Sequence, residues 1–214
     1  MRRIAPPRRL VLSLMALTAV MLGGCNVAIT TKPLFTSADE AGAPEMRPGV
    51  WRFDAGPPCK VDETRPLAEW PECGAGVVLK KGIAGFYDRK TGSPVLTWQP
   101  LVLTAGTPRI AQTEIVVSGA LKLDATPYGY AGVRPTRLDS EGKITAFAFW
   151  VVQCGPPPPS GDGMTAKPLP GMILNKDDPV CIASSPQALR AAAAVSEPWS
   201  PKPMAAHWIR DGGP

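Results

Sequence analysis

The chain has 214 residues, room for one domain or a small pair, and a formal net charge of +5 from 23 lysines and arginines against 18 aspartates and glutamates. Four of those cations, Arg2, Arg3, Arg8 and Arg9, belong to an N-terminal leader expected to be removed; without them 19 cations face the same 18 acids, and a charge of +1 excludes nucleic-acid binding through overall basicity. Only Pro6 and Pro7 of the 26 prolines lie in that leader, so the other 24 exclude long helices over most of the body.

Residues 1–24 read as a secretory signal: the arginines, then an apolar run of 13 residues from Leu10 to Leu22, then Gly23-Gly24. A transmembrane helix needs about 20 residues, so this run is too short to span. Leu22-Gly23-Gly24-Cys25 resembles the lipobox of bacterial lipoproteins. That resemblance implies that Cys25 becomes the first residue of the processed chain, with a diacylglyceryl group on its thiol and a further acyl chain, such as palmitate, on its new amine. One acyl chain holds a protein to a bilayer only marginally, whereas two or more hold it stably. Asn26 rather than aspartate follows Cys25, and by the sorting rule of enteric lipoproteins this implies the outer membrane, with the protein facing the periplasm.

Residues 25–47 are small, polar and unpatterned and are expected to form a flexible tether, leaving 48–214 as a single mainly-β domain. Its first strand signal is Pro48 to Phe53, followed by a proline-rich connection from Asp54 to Glu72. Runs of β-branched, aromatic and aliphatic residues then recur at Val77–Lys81, Ile83–Tyr87, Val95–Leu103, Arg109–Val117, Tyr128–Leu138 and Lys143–Val152, each bounded by turn residues. This spacing predicts an antiparallel sheet, either a sandwich or a partly closed barrel. Within Arg109–Val117 one face is mostly apolar and the other mixed, so it reads as half buried. Ile144–Val152 is apolar on both faces and reads as a central strand, joined through the turn at Asp139–Gly142 to a strand in which Pro135 marks an edge or a bulge. One C-terminal helix is expected from a Ser184 or Ser185 cap through Ser196, small-faced and obliged to dock. The His207–Arg210 tail suggests a final short strand.

Cys59, Cys73, Cys154 and Cys181 form an even set in an exported chain, the pattern of two disulfides. Of three possible connectivities the nearest-neighbour one, Cys59–Cys73 and Cys154–Cys181, is favoured because each bridge then closes a proline-rich loop with little apolar content of its own. No Cys-x-x-Cys pair is present and His207 is the sole histidine, so neither a metal nor a cofactor is expected.

Other chemistry is equally thin. There is no Gly-x-Ser-x-Gly elbow; Gly161–Lys167 lacks the ending of a phosphate loop; Asp177-Asp178 lacks the alternating oxygens of a calcium loop. The Pro156–Pro159 run could suit a groove-binding partner but reads as a solvated loop. The pairs Lys80-Lys81 and Arg89-Lys90 could meet anionic headgroups but read as a solvated hairpin edge. Gly49-Val50-Trp51 on the opening strand, followed by antiparallel strands, a helix and Trp208-Ile209-Arg210, is similar in order to lipocalins. In that family the motif tryptophan packs beneath the barrel near a late arginine, and some bacterial members are outer-membrane lipoproteins. The expectation is therefore a non-catalytic, lipid-anchored envelope protein that binds or scaffolds a partner protein, with a lipocalin-like carrier of a small apolar ligand as the alternative. Trp51 is a packing anchor in either case.

Overall fold

The computed structural model describes residues 26–54, 59–71, 73–74, 76–88, 95–115, 126–158, 165, 167–175, 180–200 and 204–212. Eight strands form a closed antiparallel barrel: β2 (Gly49–Asp54), β3 (Gly76–Lys80), β4 (Ile83–Asp88), β5 (Val95–Leu103), β6 (Arg109–Glu114), β7 (Tyr128–Leu138), β8 (Ile144–Val151) and β11 (Met204–Arg210). Seven run as a meander from β2 to β8, β6 pairing with β7 on the way, and β11 closes the circle by pairing with both β8 and β2. Of the two forms the sequence allows, the barrel is the one adopted, fully closed. Three short strands, β1 (Ala28–Thr30), β9 (Met172–Asn175) and β10 (Val180–Ala183), extend the sheet outward from β7.

Alternation sorts the side chains. Trp51, Val77, Leu79, Ala84, Leu103, Val133 and Phe147 point inward, where eight strands leave a space just wide enough for side chains to fill. The outward face is also largely covered. On one side Val50 and Val78 pack under Leu67 and Trp70 of the 59–74 loop, which the Cys59–Cys73 disulfide closes. On the other, Ile110, Tyr130 and Val152 pack under the helix α1 (Pro186–Ser196) and the β9–β10 hairpin, which the Cys154–Cys181 disulfide ties to the sheet. Both expected pairings are thus the observed ones. Each supplies what its proline-rich segment lacks, a constraint worth about 3 kcal/mol in the chain-entropy account.

Ser185 caps α1, its hydroxyl accepting from the Ala188 N–H at 3.1 Å, with Pro186 in the first turn. The small residues Ala192 and Ala193 let the helix approach closely, and the Trp150 indole N–H, on the outer face of β8, donates to the Ala193 carbonyl at 2.9 Å. Gly132 on β7 makes room for that indole, which occupies the place a Cβ there would take. Covered on both faces and paired on both sides, β8 is the central strand its sequence suggests. Pro135 lies past the last β6 partner, Val133, at a bulge in the β7–β8 ladder, so its missing N–H goes unneeded.

Residues 26–47, the described part of the segment 25–47, do not form the expected flexible tether. From Asn26 to Pro48 the chain is a strap laid along the barrel. β1 joins the sheet, Phe35 is 1% exposed, and a 3-10 turn at Ser37–Glu40 leads to Met46, bridged to Ile144. Polar composition hid this because the polar groups are satisfied internally. Gln112, on the face of β6 read as mixed, accepts from the Leu34 and Phe35 N–H groups, both at 2.9 Å, and donates to the Phe35 carbonyl at 2.8 Å.

Candidate functional site

The strap closes one end of the barrel. There Gly49 adopts φ +127°, and a Cβ on it would run into the Arg210 carbonyl and the Trp208 indole. Trp51, fully buried, pairs across the sheet with Trp208, and its indole N–H donates to the Arg47 carbonyl of the strap at 2.8 Å. Trp208 donates to the Pro48 carbonyl at 2.9 Å and lies under the Arg47 guanidinium, 4.0 Å from its ring centre. Gly49, Trp51 and Trp208 thus form a clasp between the strap and the first and last barrel strands. Arg210 turns outward to the carbonyls of Glu63 and Arg65, so the cation over Trp208 is Arg47.

A cavity of about 490 Å³ opens beside this clasp, between the strap, the β3–β4 turn and the ends of β3 and β5. Its floor is apolar, from Met46, Leu79, Leu101 and Leu103. Its rim is charged: Lys81 and Glu45 form an exposed ion pair at 3.1 Å, and Glu40 accepts from the Leu103 N–H at 3.2 Å, fixing strap to barrel. An apolar well with charges of both signs at its mouth suits an amphipathic occupant, either a small molecule or an apolar side chain presented by a protein. The sequence does not announce this site, since Leu79, Leu101 and Leu103 look like ordinary core, Lys80 and Lys81 like a solvated hairpin edge, and Ser37 to Met46 fall in the expected tether.

The barrel interior holds an aromatic column. Ring centres are 5.3 Å apart for Trp51–Phe147, 5.8 Å for Phe147–Phe149 and 5.5 Å for Phe53–Phe149, contact spacings with tilted or edge-on geometry. Towards the end away from the strap, Phe53, Phe86 and Phe149 are only half-buried.

The residues singled out from the sequence are placed as follows. Cys25 lies outside the described residues, but its neighbour Asn26 is buried. The four other cysteines are paired in disulfides. His207 sits on the outer face of β11 with Nδ1 3.2 Å from Asp54 and Nε2 4.0 Å from Glu63, which also binds Arg52 at 2.7 Å. The two carboxylates address opposite ring nitrogens and cannot converge on one ion; among the described residues no group of three or more His, Cys, Asp or Glu is arranged to hold a metal. Lys80 lies 4.3 Å from the centre of the Trp98 ring, and Lys81 is engaged by Glu45. Arg89, Lys90, Asp177, Asp178, Pro159, residues 161–164 and Ala166 lie outside the described residues, whereas Pro156 and Pro157 are exposed. Among the described residues no helix is long and apolar enough to cross a membrane. The fold and site thus define a closed, disulfide-braced eight-stranded barrel with a strapped end. Comparison with protein-family models, curated proteins and solved structures finds no match to this chain.

Proposed function

We propose that the protein is a lipid-anchored component of a bacterial cell envelope, held through acyl chains on Cys25 to the periplasmic side of the outer membrane, and that it acts without catalysis as a binding or scaffold protein. The anchoring rests on the signal-like leader and the lipobox-like Leu22-Gly23-Gly24-Cys25. The observation that carries the binding mode is the division between a filled interior and an open rim. The Trp51–Phe147–Phe149–Phe53 column occupies the barrel, while the accessible cavity lies beneath the strap, where an apolar side chain of a partner protein can enter past Lys81 and Glu45. Native mass spectrometry of protein extracted from its own envelope tests this. A protein should co-purify with the wild type and be lost from Ala41→Trp, which fills the cavity from the strap, at an unchanged melting temperature. Retention by Ala41→Trp sinks the reading.

The carrier reading is favoured by a different observation. The closed barrel is of the kind that holds one small ligand, and Phe53, Phe86 and Phe149 are half-buried at the end away from the strap. In the same experiment it predicts a co-purifying lipid or other small apolar molecule instead of a protein.

A further inference from the structure

Covalent geometry places the Cα of Cys25 about 3.8 Å from that of Asn26, and Asn26 is fixed in the domain. Its side-chain amide donates to the Gly155 carbonyl at 2.7 Å and to Gln153 at 3.1 Å, its side-chain oxygen accepts from the Thr165 N–H at 3.4 Å, and its carbonyl accepts from the Cys154 N–H at 2.7 Å. An anchor on Cys25 therefore has no reach. We infer that the surface around Asn26, with exposed Pro156, Pro157, Lys167 and Pro168, rests directly on the phospholipid headgroups, and that the strapped end of the barrel with its cavity is turned to the aqueous side. This inference rests on the proposed acylation of Cys25.

Two features of that surface suit a half-dehydrated headgroup layer. Its prolines carry no N–H, so removing water from them leaves no donor unsatisfied. Lys167 offers a cation to anionic headgroups. The direction of the cavity follows from topology. β8 starts at the strapped end, where Ile144 meets Met46, and finishes at the other end, just before the Cys154 and Gly155 that hold Asn26. Eight residues of strand tilted as barrel strands are carry the chain roughly 20 Å along the axis. The cavity rim at Lys80–Gly82 is at the strapped end and, going round from β8, three strands away. On this account the lysines of the β3–β4 turn face water and not lipid.

Photocrosslinking tests the orientation. The full-length acylated protein is reconstituted in vesicles of phosphatidylethanolamine and phosphatidylglycerol, with benzoylphenylalanine replacing Pro157, Lys167, Lys81 or Leu138 one at a time, all exposed positions. Lipid adducts should form at 157 and 167 at least about tenfold more than at 81 and 138, and a flexible Gly/Ser insert of about a dozen residues between Cys25 and Asn26, spanning roughly 20 Å, should abolish the preference. Equal or reversed yields in acylated protein overturn the inference, as does a preference that survives the insert. Intact mass separates the two levels of failure: a chain without acyl groups on Cys25 refutes the anchoring reading itself.

Discussion

Trp51→Ala probes the clasp that joins strap, first strand and last strand. The residue is 0% exposed, packs on Phe147 at 5.3 Å between ring centres and faces Trp208 across the β2–β11 ladder. Removing a buried tryptophan side chain typically costs about 3–5 kcal/mol, and the Arg47 carbonyl, which accepts the indole N–H at 2.8 Å, loses a partner worth about 1 kcal/mol more. A total of about 4–6 kcal/mol against a usual domain stability of about 5–15 kcal/mol is severe. At about 2–4 °C per kcal/mol for a domain of this size, Tm should fall by roughly 10–20 °C. Trp51→Phe keeps the ring contact and loses only the hydrogen bond, so its fall should be a few degrees, with faster amide exchange in the strap at residues 41–47. Thermal melts followed by circular dichroism on the oxidised protein measure the first effect, and hydrogen exchange measures the second. A Trp51→Ala melt superimposable on the wild type would refute the argument that this side chain closes the barrel end.

Palmitate-analogue labelling should mark the wild type and not Cys25→Ala; equal labelling of both removes the anchoring proposal. Under mild reductant the Cys59–Cys73 bridge, with Cys73 exposed, should open well before Cys154–Cys181, whose cysteines are both 0% exposed; thiol trapping and peptide mapping read the order. Gly132→Ala sets a methyl against the Trp150 indole and should cost about 1–3 kcal/mol in denaturant unfolding, with loss of the tryptophan's contact to α1. The Tyr130 hydroxyl, buried and bonded to Thr30, is pushed up from the ordinary tyrosine value, chiefly by that burial. A raised folded value means its contribution to stability is complete below about pH 10 and is lost as pH rises through the raised value, so Tyr130→Phe should flatten the alkaline decline seen in denaturant melts.

The meander was legible because alternation is local. Val77 and Leu79 against Val78, or Phe147 and Phe149 against Trp150, state both a strand and its two faces without reference to anything else. Closure was not legible, since it depends on β11 finding β2 and β8 across most of the chain, and Met204-Ala205-Ala206 carries no alternation to announce a strand. β1, β9 and β10 escaped for a related reason: at three or four residues each, their burial comes from neighbours and not from their own pattern. The strap is hidden by its composition, because its larger apolar residues, Val27, Ile29, Leu34, Phe35 and Met46, fall in short clusters too far apart for any period. The cavity combines both blind spots.

Synthesis delivers this chain from its N-terminus, and the pairing of β2 with β11 gives that direction a cost. From the moment β8 is complete until Met204 emerges, the meander is an open sheet with two raw edges, β2 on one side and β8 on the other, each displaying unpaired N–H and carbonyl groups that can recruit a second copy. The intervening excursion, with β9, β10 and α1, prolongs that exposed interval. The 7 residues of β11 then remove both edges in one event. A chain cut short before Met204 should therefore aggregate through its edges and not persist as a looser monomer.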